Sequence, residues 1–395
     1  MDSATLEKWV NINSGSLNRE GLHRMADALE EELRELPGTL ERLPLPEYTT
    51  LDGHRHQPGD AVRFRFRPEA PLRVLFSGHM DTVYGPAHPF QILRKLEDGK
   101  WNGPGVADMK GGLFIMIEAV RRFLREDTDG RVGGEILITA DEEVGSMGSR
   151  PLLVEAAAWN HLGLVFESSL PGGELVRCRK GTGVFKLVAH GKAAHTGRDF
   201  QNGRNAIVAL ASMLPGCHQL NESIGDAIVN VGTVSGGGTV NVVPDLARAW
   251  LNIRIGQSDT AGVIEDALDE LAAAAMREYP GTRIVREGGF QRAPREETPG
   301  NARLHEFWNE AEQSLGLEAS GKRDTGGSSD GNLLGEEGLP HLDGVGIRGG
   351  SIHSPEEFAF PESIEGQVAR TVAFLKLLSE HPERLQEEAF RGARA

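Results

Sequence analysis

The stretch VLFSGHMDTV, residues 74–83, constrains the chain most. A short apolar run, Val74-Leu75-Phe76, leads through Ser77-Gly78 into His79-Met80-Asp81. Such a run reads as a buried strand. His79 and Asp81 then lie at or just past its end and project the same way. An imidazole beside a carboxylate at a strand end suits a metal ligand with its supporting partner. It equally suits a proton relay or a satisfied polar pair. Other parts of the chain have to separate these readings.

Acidic residues recur at comparable places. WNGPGVADMKGG, residues 101–112, is a glycine-rich loop with Asp108 in its middle. It opens a helix over 113–126, LFIMIEAVRRFLRE, so Asp108 is either a turn or capping aspartate or a functional one. The strand EILITA, 135–140, ends in Asp141-Glu142-Glu143 and a glycine-rich turn. Consecutive carboxylates after a buried strand can divide their work, one ligating a metal and one acting as base. A further strand, 163–166, ends in Glu167. In an open α/β sheet, ligands bind outside the carboxyl ends of the strands. His79, Asp108, Glu142, Glu143 and Glu167 all fall there.

Around this core the pattern predicts a helix over 21–36, stopped by Pro37-Gly38. AVRFRFR, 61–67, alternates apolar and basic residues and predicts a half-exposed strand. The rhythm changes over 182–291. Strand 183–191, helix 205–214, strands 227–235 and 245–255, helix 258–278 and a strand near 282–286 give the order β-α-β-β-α-β. That is the ferredoxin-like order. The expected organisation is a discontinuous catalytic domain, 1–181 with 292–395, and an inserted domain, 182–291.

Within the insert, His195 in KAAHTG, Asn241 and Arg254 have both a plain and a functional reading. His195 and Asn241 fit ordinary turns, and Arg254 fits an exposed strand position. After the insert come a helix over 301–316 and the loop GGSSDGN, 326–332. That loop lacks the Gly-Lys-Ser/Thr ending of a phosphate-binding loop. Its backbone N–H groups can still wrap a ligand, which makes Gly327 a candidate contact. GIRGGSIHSPEEF, 346–358, carries His353, and a helix over 363–381 closes the core. The polar tail from Pro382 is expected to be mobile.

Composition excludes several classes. The 395 residues exceed one ordinary core and fit two domains. A formal charge of −16 argues against nucleic acid and anionic membrane surfaces as partners. Two cysteines without CxxC spacing leave His and carboxylates as metal ligands. The N-terminus has no apolar signal-peptide core, and no run approaches a membrane span, so a cytoplasmic enzyme is expected.

HMDTV, GPGVADMKGG, DEEVGS, FESS, GKAAHTG and GIRGGSIHS occur in one order. With these motifs the chain resembles the co-catalytic di-zinc family of glutamate carboxypeptidase, aminoacylase, acetylornithine deacetylase and succinyl-diaminopimelate desuccinylase. HMDTVYGP and the segment from GKAAHTG to Arg254 look most like the glutamate carboxypeptidase branch.

The resemblance implies an α/β fold, a mixed-sheet zinc-exopeptidase-like catalytic domain with a ferredoxin-like lid and dimerisation domain. It implies two Zn²⁺ per subunit, with Mn²⁺ or Co²⁺ as possible substitutes. His79, Asp108 and Glu167 would hold one ion. Glu143, Asp108 and His353 would hold the other, with Asp108 bridging. Asp81 would support His79, and Glu142 would be general base toward a metal-bridging hydroxide. His195 would come from the partner subunit of a homodimer. Arg254 and Asn241 would hold a substrate carboxylate. A cis Asp108–Met109 peptide is also expected.

The substrate would be a small peptide or N-acyl amino acid cleaved beside a free carboxylate. The alternatives are an aminopeptidase or another deacylase of the same family, and a metal-binding paralogue without catalysis. Arg177 lies where that branch has a basic residue for the substrate's side chain; with Arg179 and Lys180 it also fits a solvated basic turn. Asn332, in place of a small residue, is expected to reshape the pocket.

Overall fold

The computed structural model describes residues 1–386 of the chain. The central element is the run that ends at His79. In chain order the strands are β1 (Thr39–Leu43), β2 (Ala61–Phe66), β3 (Leu72–His79), β4 (Val132–Thr139), β5 (Leu162–Val165) and β6 (Leu175–Arg179). Then come β7 (Gly181–His190), β8 (Ile228–Gly236), β9 (Leu246–Ile255), β10 (Arg283–Arg292), β11 (Lys322–Thr325) and β12 (His341–Asp343). The helices are α1 (Ser3–Val10), α2 (Arg19–Leu33), α3 (Gly111–Glu126), α4 (Arg150–Trp159), α5 (Ala206–Ser223), α6 (Thr260–Glu278), α7 (Pro299–Ser314), α8 (Asp330–Glu336) and α9 (Ser363–Glu380).

Eight strands form one mixed sheet in the order β1-β2-β4-β3-β5-β12-β6-β11. β3 runs parallel to both neighbours, β4 and β5. The chain leaves β3 for β4 on one side and reaches β5 on the other, so β3 sits at the switch point where ligands bind in such sheets. Side chains of α1, α2, α3, α7 and α9 share one apolar core with the sheet. Those of α4 and α8 form a second, smaller core that includes Leu75 and Val165. A strand covered on both faces has to be apolar on both, and Val74, Leu75 and Phe76 are fully buried. Glycine is needed where α3 begins. A Cβ on Gly112 would lie 1.9 Å from the Phe166 carbonyl oxygen, so only glycine lets the helix start so close to the end of β5.

β2 differs from its expected half-exposed state, being buried along almost its whole length. Its arginines do not face water. Arg63 and Arg65 approach the fully buried Glu135 at 2.9 and 3.1 Å, and both approach Glu155 of α4 at 3.1 Å. The Arg65 guanidinium also lies 4.6 Å from the centre of the Trp159 ring. Arg65 donates hydrogen bonds to both Glu135 and Glu155, whereas the Arg63 contacts are charge pairs off hydrogen-bond alignment. Burial pushes the Glu135 carboxyl up in pKa against the pull of both arginines.

The second sheet has the order β8-β9-β7-β10 and is antiparallel throughout. With α5 and α6 it makes the β-α-β-β-α-β unit. Alternation decides its faces. Ala247, Ala249, Leu251, Ile253 and Ile255 pack with Leu210, Met213, Ile264 and Leu268 of the helices. Trp250, Asn252 and Arg254 lie on the opposite face. α5 is longer than expected, continuing through Pro215 because its apolar face stays buried at Met213 and Cys217. β10 is also longer. Gly288 lies inside it at φ +85°, where its backbone passes close to β7.

Of the tail, residues 382–386 form a short 3₁₀ turn rather than a mobile end. Arg384 there pairs with Glu310 and lies over the Phe307 ring. The rest of the tail lies outside the described residues. No helix among the described residues is long and apolar enough to cross a membrane.

The Glu135→Ala variant should lose about 3 kcal/mol of stability, because two arginines lose their buried partner. The measurement is the denaturant midpoint. A double Arg63→Met, Glu135→Leu variant should recover part of the loss.

Candidate metal centre and substrate cavity

His79 ends β3 with its ring buried. Its Nδ1 lies 3.0 Å from the main-chain oxygen of Asp81 and 3.4 Å from Asp81 Oδ1. An Nδ1–H donated there leaves the Nε2 lone pair free for a metal. Nε2 points to Asp108 Oδ1 at 3.2 Å and to Glu167 Oε1 at 3.7 Å. The other Asp108 oxygen, Oδ2, lies 3.2 Å from His353 Nε2, which is also 3.0 Å from Glu143 Oε2. One carboxylate therefore faces two imidazoles, each with a second acid beside it. One donor atom each from His79, Asp108 and Glu143 lies within 4.8 Å of the others. These are nitrogen and oxygen donors of the kind that hold Zn²⁺ and similar divalent ions.

The electrostatics favour added positive charge. Burial pushes Glu143 up to about 8, and the Asp108 carboxylate beside it adds to the shift. Burial and Asp108 likewise push Glu167 well up. His353 is raised to about 11 by its contacts with Asp108 and Glu143. Burial alone would lower His79, but Asp108 and Asp81 outweigh it and raise its pKa well above the usual range. In this cluster the imidazoles serve as the counter-charges to the acids.

Asp81 ties two strand ends together. Its carboxylate accepts the backbone N–H groups of Glu142 and Glu143, both at 3.1 Å, and the Ser16 hydroxyl at 2.7 Å. The neighbouring glutamates therefore diverge. Glu143 faces His353, and Glu142 Oε1 lies 2.7 Å from Arg292 Nη1. That pair is close but off hydrogen-bond alignment. Arg292, at the end of β10, also donates to Ser146 Oγ at 2.6 Å and approaches Asp330 at 3.3 Å. The Asp108–Met109 peptide is cis, in line with the expectation.

Glu357 fixes the loop around Asp108. It is 1% exposed and accepts backbone N–H groups from Gly105, Ala107 and Asp108 at 3.1, 2.9 and 3.1 Å. It lies four positions after His353, so one short segment supplies an imidazole and clamps the loop carrying the carboxylate it faces.

A cavity of about 890 Å³ separates this cluster from the lid sheet. Asp108, Glu142, Glu143, Glu167 and His353 line one wall; Thr182, Val184, Trp250, Asn252 and Arg254 line the other. Gly326, Gly327 and Ser328 of the glycine-rich loop border it. Arg254 Nη1 donates to the Gly326 carbonyl at 3.0 Å. His195 and Asn241 do not line it; their loops lie together in the lid, exposed, with Thr196 N–H donating to Asn241 O at 3.1 Å.

Two placements correct the sequence reading. Arg177 is exposed and paired bidentately with Asp324, both contacts at 2.7 Å, outside the cavity. The register of β6 shifts between Val176 and Arg179, so arginines two apart do not share a face. It is Arg179 that lines the cavity, held bidentately by Asp343 at 2.7 Å. Asn332 does not reshape the pocket either. It is fully buried, caps α8 through Ser329 N–H at 2.9 Å, and donates to the carbonyls of Lys180 and Ala293 at 3.2 and 2.7 Å. Those two residues flank the crossings into and out of the lid. Arg292, Glu357, Arg179 and Trp250 carry no local sequence signal that singles them out.

A protein-family profile described as Peptidase family M20/M25/M40 matches residues 75–377. The chain belongs to this family. It is a metallopeptidase-family hydrolase. Among curated relatives it is 27% identical to carboxypeptidase G2 of Pseudomonas sp. (strain RS-16), over 89% of this chain and 82% of that one. A probable carboxypeptidase of Aspergillus terreus is 30% identical over 54% of this chain and 50% of its own. An M20-family metallo-carboxypeptidase structure from Sulfolobus solfataricus superposes with TM-score 0.72 at 19% identity, covering 96% of this chain and 100% of that one. A tripeptidase structure from Staphylococcus aureus gives 0.75 at 19% identity, with 95% and 97% covered. At these identities the structures show the shared α/β fold with its lid.

Glu357→Gln should weaken binding of divalent metal about 10- to 100-fold while the fold is retained. Metal titration with circular dichroism as control is the check.

Proposed function

We propose that this chain is a two-metal hydrolase that cleaves an amide next to a free carboxylate, releasing an amino acid from a small peptide or an N-acyl amino acid. The observation that carries this reading is Asp108, whose two oxygens face His79 and His353 separately. His79, Asp108 and Glu167 would hold one ion, and Glu143, Asp108 and His353 the other, with zinc the expected metal. When bound, the two cations supply polarisation of a water and of the amide carbonyl.

The side chains do the rest. Glu142 stays out of the ligand set because Arg292 holds one of its oxygens. It takes the proton of the attacking water and passes it to the leaving amine. Asp81 holds Glu142 and Glu143 in place through their backbone. Arg254 receives the substrate carboxylate. Among the described residues its guanidinium hydrogen-bonds a main-chain carbonyl, whereas the Arg179 fork is already filled by Asp343. Gly327 and its loop border that end of the cavity, and Asn241 joins them on lid closure.

His195 would supply an oxyanion donor to the partner subunit's site, since it lies exposed and away from its own cavity. The unpaired edge of β8, with exposed Val234, and Ile207 and Val208 at the start of α5 offer a surface for such a dimer.

The aminopeptidase reading is weaker. A free substrate amine needs an acid at the far end of the cavity, and Asp52 there has Lys186 at 3.9 Å. Blocked dipeptides with a free C-terminus should be hydrolysed; a strict need for a free amine would reverse the choice.

Glu142→Ala should abolish turnover with metal content nearly intact, and parallel metal loss would contradict its role as base. His195→Ala should lower kcat without metal loss. Mixed dimers of His195→Ala and Glu142→Ala subunits should regain activity, because one of the two sites is then whole.

A further inference from the structure

The two imidazoles of the cluster are held in unlike ways. The His79 side chain is 1% exposed at the end of a buried strand, and Asp108, Glu143 and Glu167 are nearly as enclosed. The His353 side chain is 51% exposed. Packing cannot fix a ring with half its surface in water, so its place depends on its backbone. That backbone is unusual. Ser351 and His353 lie at φ +52° and +61°, a region that favours glycine. Other residues keep such a conformation where their surroundings impose it.

The constraint comes from the stretch that leaves β3. The Tyr84 hydroxyl donates to the Ser354 carbonyl at 2.8 Å, one residue after His353. The same carbonyl accepts the Glu357 N–H at 3.0 Å, and Ser354 Oγ closes the turn on the Ser351 carbonyl at 2.8 Å. Asn102 holds the segment further along, donating to the carbonyls of Pro355 and Glu357 at 2.9 and 2.8 Å.

Tyr84 is itself fixed at every level. It is buried, and its ring packs edge-on against Phe90 with centroids 5.1 Å apart. Asn13 Nδ2 donates to its carbonyl at 3.0 Å. Just before it, Thr82 N–H donates to the Ser14 carbonyl at 3.0 Å, and Ser16 N–H to the Thr82 carbonyl at 3.1 Å. One stretch thus carries His79, ties Glu142 and Glu143 through Asp81, and reaches the turn of His353 through Tyr84.

We propose that Tyr84 is a positioning residue for the metal-binding group of Glu143, Asp108 and His353. Its hydroxyl fixes the Ser354 carbonyl and with it the turn that presents the His353 imidazole. This rests on the two-metal reading above. The group of His79, Asp108 and Glu167 does not depend on this bond, because strand ends hold His79 and Glu167, and the Glu357 carboxylate clamps the loop of Asp108.

The test titrates the apo protein with Co²⁺ against a competing chelator, with circular dichroism as control. The wild type should take up two ions. Tyr84→Phe keeps the ring against Phe90 and removes one hydroxyl. It should bind one ion within about threefold of the wild-type affinity and the other at least about tenfold more weakly. His353→Ala should lose that same ion, and adding Tyr84→Phe to it should cause no further loss. An unchanged affinity for both ions, equal weakening of both, or a further loss in the His353→Ala background would overturn the role of Tyr84. Unfolding of the Tyr84→Phe apo protein would do the same, since the hydroxyl would then serve the fold as a whole. Uptake of a single ion by the wild type would instead remove the two-metal reading, and this role with it.

Discussion

The structure depends on holding four carboxylates, Asp108, Glu142, Glu143 and Glu167, together in a buried place where they repel one another. Burial raises Glu142, Glu143 and Glu167, and neighbouring acids add to the shift: Asp108 and Glu142 for Glu143 and Glu167, Asp330 and Asp81 for Glu142. A chain that merely collapsed would keep such groups apart or in water. Here their positions are imposed from behind. Strand ends β3, β4 and β5 are fixed by a sheet buried on both faces. Asp81 joins two of those ends through backbone N–H groups, and Glu357 clamps the loop of Asp108 through three more. The scaffold spends backbone hydrogen bonds to hold side chains that would otherwise separate, and a cluster built this way is completed by cations.

Much of this frame was legible in the sequence because it rests on local signals. A short apolar run ending in His79, another ending in Asp141-Glu142-Glu143 and a third ending in Glu167 are readable as strands with chemistry at their carboxyl ends. The β-α-β-β-α-β insert was readable because each of its elements keeps its own period. The family resemblance added Asp108 as the bridge and His353 as a ligand, which spacing alone left open.

What stayed hidden depends on contacts distant in the chain. Arg292 ends a strand whose Gly288-Gly289 pair reads as a stop, and Glu142 lies 150 positions away. Arg63 and Arg65 look solvent-facing until Glu135, on a neighbouring strand, is placed beneath them. Arg177 was singled out by its place in the family resemblance, with a solvated basic turn as the other reading; the register shift in β6 turns it to Asp324 at the surface and leaves Arg179 facing the cavity. Asn332 was singled out because it stands in the glycine-rich loop where the resembled branch has a small residue. The helix beginning at Asp330 turns it inward instead, onto both lid crossings.

That last placement links the lid to the centre. Asn332 bonds Lys180 and Ala293, one on each crossing, and Arg292 adjoins Ala293 while facing Glu142. The two lid crossings are therefore tied together at a point whose neighbour faces the proposed base. At the opposite end of the cavity Lys186 donates to the carbonyl of Leu51, in the segment between β1 and β2. Contacts at both ends of the cavity thus tie the lid to the catalytic domain. On the proposed two-metal reading the ligands would be common to every substrate, so discrimination would rest on the length and chemistry of the cavity as a whole.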